Sequence, residues 1–191
     1  MKLTLLISSM LAFGNIAAIN TNDINYIRKE FNLALNNAQK ASALHAQLIG
    51  LMPAKNTLQY AYLGATEAIL AKHSFNPFTK LGYVNSALDK LNNAIMANKN
   101  NIEIRFMRYS IESELPFYLG LSKHIQEDKN AVIEGLKNIK PTTENSEMIK
   151  VFASKLSSAS ICNKEEKVLL NNIVSTCNQV INPKNQSHVK P

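Results

Sequence analysis

Tryptophan is missing from this 191-residue chain, cysteine occurs twice, and glycine and proline occur six times each. So little glycine and proline rules out collagen-like and turn-rich low-complexity classes. Two cysteines cannot build a disulfide scaffold. Arginine is nearly absent, with 3 Arg against 18 Lys. The lysines are scattered, with no basic block and no stripe interleaved with aromatics. The +7 charge therefore reads as solvated helix faces, and nucleic acid is not an expected partner. No G-x-S-x-G, Walker or dinucleotide glycine pattern occurs. The four histidines, His45, His73, His124 and His188, stand alone without metal-ligand spacing, so neither a metal nor a cofactor is expected.

Hydrophobic residues make up 46% of the chain, enough for a real core. Ala, Leu, Asn and Lys dominate, which favours helices. One apolar run, Leu3 to Phe13, follows Met1-Lys2 and precedes the small residues Gly14, Ala17 and Ala18. This is the layout of a secretory signal peptide, and it is shorter than the roughly 20 residues a bilayer span needs. The expected organisation is a cleaved leader over 1–18, an α-helical domain over 19–182 and a flexible polar tail over 183–191. The protein is then exported, periplasmic or secreted, with no membrane span. Cys162 and Cys177 would sit about 20 Å apart along one helix at 1.5 Å per residue, too far for a disulfide. Buried free thiols are expected.

Hydrophobic periodicity predicts about seven helices and no strands. The first covers Ile24 to Leu48, the second Ala54 to Lys72. The third opens with Asn76 as cap and Pro77 at the first helical position, carries the stripe Leu81, Val84, Leu88, Leu91, Ile95, and ends near Asn98. The fourth runs from Asn101 to Ser113, before Pro116. The remaining three cover Ile125 to Ile139, Glu144 to Ser158 and Lys164 to Ile181, the last opened by an Asn163/Glu166 capping box. Short links imply antiparallel neighbours, hence an all-α helical hairpin array or bundle. Gly64 and Gly82 inside helices suggest close helix contacts.

Tyr60, Leu63 and Gly64 fit the first half of a tetratricopeptide repeat, and Ala87, Leu91 and Ala94 fit its second. The halves are about 11 residues too far apart for one 34-residue repeat, which leaves a degenerate, stretched repeat in the centre. From Ala61 to Gly120 the chain carries A-Y-L-G-A-x-E-A, A-K-H-S-F-N-P-F-T-K-L, N-N-I-E-I-R-F-M-R and L-P-F-Y-L-G. This stretch, about a third of the chain, is similar to a family of uncharacterised exported, tetratricopeptide-like proteins of Bacteroidota-type bacteria. The resemblance implies export and an α fold, and it brings no chemistry.

On a helical wheel of the fourth helix, Glu103, Ser110 and Glu114 form a wet face. Opposite them lie Arg105, Arg108 and Glu112, flanked by apolar arcs on both sides. Glu67 on the second helix and Lys80 on the third also point into apolar arcs. Arginine holds a carboxylate with a flat, two-pronged fork and keeps its charge when buried. The expectation is that Arg105 and Arg108 bridge Glu67 and Glu112, with Lys80 at the edge. Two readings stay open. The cluster is a structural network fixing how three helices pack, or a pocket in which Arg105, Arg108 and Lys80 receive a small anionic ligand. Tyr109, with Tyr62, Phe78, Tyr83 and Tyr118, would wall such a pocket. The expected function is a helical binding or scaffold protein of the periplasm or cell envelope with a protein or small anionic partner. The alternative is a small envelope enzyme built on the same cluster.

Overall fold

The computed structural model describes residues 23–51, 53–55 and 57–182. The expected leader and tail lie outside them. The described residues form eight α-helices and no strand. They are α1 (Ile24–Ala34), α2 (Ala38–Gly50), α3 (Leu58–His73), α4 (Pro77–Ala97), α5 (Ile102–Glu114), α6 (Ile125–Asn138), α7 (Ser146–Ser158) and α8 (Lys164–Ile181), with a single 3₁₀ turn (Phe117–Leu119) between α5 and α6.

Local chemistry sets most boundaries. Asn76 accepts hydrogen bonds from the Phe78 and Thr79 N–H groups, and Pro77 follows it at the first position of α4. Asn101 does the same for Glu103 and Ile104 on α5. The Asn163/Glu166 capping box opens α8. One expected helix is two. The chain breaks at Leu35–Asn37, where Asn37 turns extended and its side chain accepts from the Lys40 N–H at 2.9 Å. Paired asparagines favour such a cap over a helix interior.

Consecutive helices pack as hairpins, α3 on α4 and α7 on α8 most extensively, while α5 touches α3, α4 and α6. Two main cores result. Ile27, Leu44, Leu48, Ile69, Leu91, Ile104 and Met107 anchor the first, built from α1 to α5. Tyr109, Val132, Leu136, Ile149, Phe152, Leu156 and Leu170 anchor the second, built from α5 to α8. Helix α5 therefore serves both cores and has no fully wet side. Cys162 and Cys177 are buried and unpaired in the second, and burial pushes both thiols above their ordinary pKa.

Glycine allows the closest helix approaches. A Cβ on Gly64 would stand 2.9 Å from the Ala87 carbonyl on α4, and one on Gly135 would overlap Ile102 Cγ2 on α5. Gly82 meets nothing within 4 Å. The expected close contact is absent there because that part of α4 is exposed.

Candidate functional site

The α5–α6 hairpin decides where the charges of α5 go. Ile102 faces Gly135, Arg108 faces Asp128, and Glu112 faces His124. Arg105 and Arg108, one turn apart, both reach the Asp128 carboxylate, whose side chain is 0% exposed. Arg108 holds it as a two-pronged fork, Nε to Oδ2 at 2.7 Å and Nη2 to Oδ1 at 2.8 Å, and spends Nη1 on Asn92 of α4 at 2.8 Å. Arg105 donates to Asp128 at 2.9 Å, to the Lys99 carbonyl at 2.9 Å, and to Glu127. Burial works against the charge on Arg105, but the bonds from Glu127 and Asp128 outweigh it and raise its pKa. The same bond from Arg105 holds Glu127 below the usual carboxylate range.

The inward turn of Arg105, Arg108, Glu112 and Glu67 is as the wheel predicts, since all four are buried. Their partners differ from the expectation. Glu112 takes no arginine. Its oxygens accept from the His124 backbone N–H at 2.6 Å and pair with His124 Nδ1 at 2.7 Å. Glu67 lies between His45 Nε2 at 3.3 Å and Lys90 Nζ at 2.9 Å. The Lys90 contact is an ion pair rather than a well-aligned hydrogen bond, because Glu67 Oε2 has no hydrogen-bond donor. Lys80 is exposed and joins none of this. Tyr109 belongs to the second apolar core. Phe78 and Tyr118 stand in solvent and wall nothing.

The expected wet face of α5 is also buried at its start. Glu103 accepts from Arg28 Nε and Nη2 of α1, at 2.8 and 2.6 Å, and from the Tyr62 hydroxyl of α3 at 2.6 Å. Burial first, and then the Glu103 charge, push the Tyr62 hydroxyl pKa up. On α6, buried Lys129 donates to Glu166 at 2.7 Å and so ties α6 to the cap of α8. Sequence reasoning missed Asp128, Glu103, Arg28 and Lys129. The acids of the first α6 turn, Glu127 and Asp128, were the available signal, but using it needed the hairpin register.

The space beside the cluster is small. A cleft of about 130 Å³ lies between α4, the end of α5 and the loop after it, lined by Asn85, Asp89, Asn92, Glu112, Lys123 and His124. A water takes about 30 Å³ and small-molecule sites run from about 300 Å³ upward. The cleft thus has room for a few waters. A larger hollow of about 350 Å³ sits between α6 and α8, away from both arginines, and is lined by Asn130, Glu134, Lys137 and Glu166 among others. Chemically, the α5 cluster is a set of charges that satisfy one another across α1, α3, α4 and α6. Comparison with protein-family models matched none of them, and comparisons with curated proteins and with solved structures likewise gave no match.

Proposed function

We propose that this chain is an exported helical binding or scaffold module of the periplasm or cell envelope, tetratricopeptide-like in its central hairpins, whose contacts with partners lie outside the α5 charge cluster. The observation that carries this reading is the double capture of Asp128. A fully buried carboxylate held by two guanidinium groups leaves Arg108 with no uncommitted nitrogen, since Asn92 takes the last one. Networks of this kind fix packing, because removing one partner strands a buried charge. The signal-like N-terminus supports the reading of an exported domain. The close approach of α3 and α4 at Gly64 is what a repeat hairpin uses.

The enzyme alternative needs Glu67, Lys80, Arg105 and Arg108 around one cavity. Lys80 is in solvent and Glu67 is bound to a separate lysine, so this reading is the weaker. Thermal melting in acetate, citrate and phosphate against chloride at equal ionic strength tests the choice. We expect only the general kosmotropic rise in Tm of phosphate and citrate, the same in wild type and Arg105→Lys. A concentration-dependent rise that Arg105→Lys abolishes would transfer the function to the cluster.

A further inference from the structure

Four aromatic side chains stand in solvent at one end of the bundle. Phe75 is 103% exposed, Phe117 92%, Phe78 84% and Tyr118 74%. Phe75 lies in the short link between α3 and α4, and Phe78 is the second residue of α4. Phe117 and Tyr118 form the 3₁₀ turn after α5. The antiparallel run of α4 and α5 brings both loops to the same end. A small third core lies beneath them, made of Ala71, Val84 and Leu88 against Ile111, Leu115 and Leu121. Folded domains rarely gather so many exposed large apolar side chains at one end without a use.

The loops are held in place rather than loose. Asn76 caps α4 through the N–H groups of Phe78 and Thr79. Gly120 closes the second turn with φ 62° and returns its N–H to the Phe117 carbonyl at 3.1 Å. Buried Glu112 pins the stretch from Ser122 to His124, its carbonyl accepting from Ser122 Oγ at 2.7 Å and its carboxylate from the His124 N–H. The aromatics are thus displayed at little further ordering cost.

Charge says what they face. Between Phe31 and Leu88 the sequence holds one acid, Glu67, and it is buried; the next acid, Asp89, is exposed and shares a small cleft with Lys123. From Leu115 to Gln126 there is none. The acids flanking that loop, Glu114 and Glu127, are bonded to Lys155 and Arg105. Lys80, two residues after Phe78, and Lys123, in the loop after the 3₁₀ turn, are exposed. We propose that this aromatic, cationic end docks on the surface of an anionic lipid bilayer. Phe75, Phe78, Phe117 and Tyr118 would enter the headgroup level, and Lys80 and Lys123 would face lipid phosphates. This rests on the reading that the protein works through its surface. Aromatic rings suit the membrane interface, and lysines near an anionic surface add to the binding. A second copy of the chain would set Lys80 and Lys123 against the same lysines, with Asp89 of the Lys123 cleft as an exposed acid it would bring.

The chain has no tryptophan, so Phe117→Trp in the full chain gives a single tryptophan at the tip, excited selectively over the tyrosines at the red edge of their absorption. We expect its emission to shift blue, and to be quenched by brominated acyl chains, with phosphatidylglycerol-containing vesicles. With phosphatidylcholine alone the response should be much weaker. In that background Phe75→Ala should lower vesicle affinity about tenfold, as one ring's burial is lost. Lys80→Gln and Lys123→Gln should each lower it about fivefold. Association driven only by the N-terminal apolar run would leave the reporter at position 117 in water. Unshifted emission with anionic vesicles overturns the proposal. So does a blue shift in buffer that grows with protein concentration, which would assign the face to self-association. If the vesicles fail while the anion melts show only the general rise, the scaffold reading survives without the lipid surface.

Discussion

The centre of α5 and the end of the bundle treat mismatched groups in opposite ways. In the centre, polar charges sit where apolar side chains are expected, and each is answered: Arg108 by Asp128 and Asn92, Glu103 by Arg28 and Tyr62, Glu112 by His124. At the end, apolar rings sit where polar side chains are expected, and Phe75 and Phe117 stand open to solvent. The difference separates architecture from candidate function. A buried charge left without a partner costs several kcal/mol and is tolerated only if matched. An exposed ring costs the folded state little, so it can be kept for a contact made later.

The largest effect expected from breaking this contrast comes at Asp128. Asp128→Ala would leave two guanidinium groups facing each other in the interior, and a loss of about 3–5 kcal/mol is expected in urea unfolding. Next comes the α5–α6 register that delivers Asp128. Gly135→Ala would drive a Cβ into Ile102 at a cost of about 1–3 kcal/mol, and Ile102→Ala should restore part of it. Gly82→Ala, in open space, should instead gain up to about 1 kcal/mol. Asn163→Ala removes the α8 cap and should cost about 1 kcal/mol.

The smallest effect is an acid limb. Glu127 and Glu166 are held below the usual carboxylate range by Arg105 and Lys129 respectively. A depressed folded-state pKa contributes stability that is complete above the ordinary glutamate value of about 4.3 and is lost as pH falls through the lower folded value. Glu166→Gln should flatten the fall in Tm below that pH more than Glu127→Gln. The Glu127 side chain is 56% exposed against 20% for Glu166, and solvent screens the more open pair.

Local signals carried much of the fold. Asn76-Pro77 and Asn163-x-x-Glu166 mark helix starts from neighbouring residues alone, and both stand where the pattern puts them. The Ile24–Leu48 stripe misled because its periodicity runs on across Asn36-Asn37, where the asparagine side chain competes with the helix. For the site, the wheel placed Arg105 and Arg108 inside but could not supply Asp128, which lies 20 residues beyond Arg108 and meets it only through hairpin register. Glu103 failed for a related reason. A wheel assumes one wet face, and α5 is covered by α1 and α3 at Glu103 as well as by α6. Lys80 failed because the start of α4 is uncovered, as exposed Phe78 and Leu81 show.

The contrast itself is tested most directly by urea unfolding of Arg108→Ala beside Phe117→Ala in the full chain. The predicted loss is about 3 kcal/mol or more for the arginine and less than about 0.5 kcal/mol for the phenylalanine. A near-zero loss for Arg108→Ala would contradict the contrast. The guanidinium would then be uncommitted to the fold, and the charge cluster would replace the aromatic end as the place to look for a ligand.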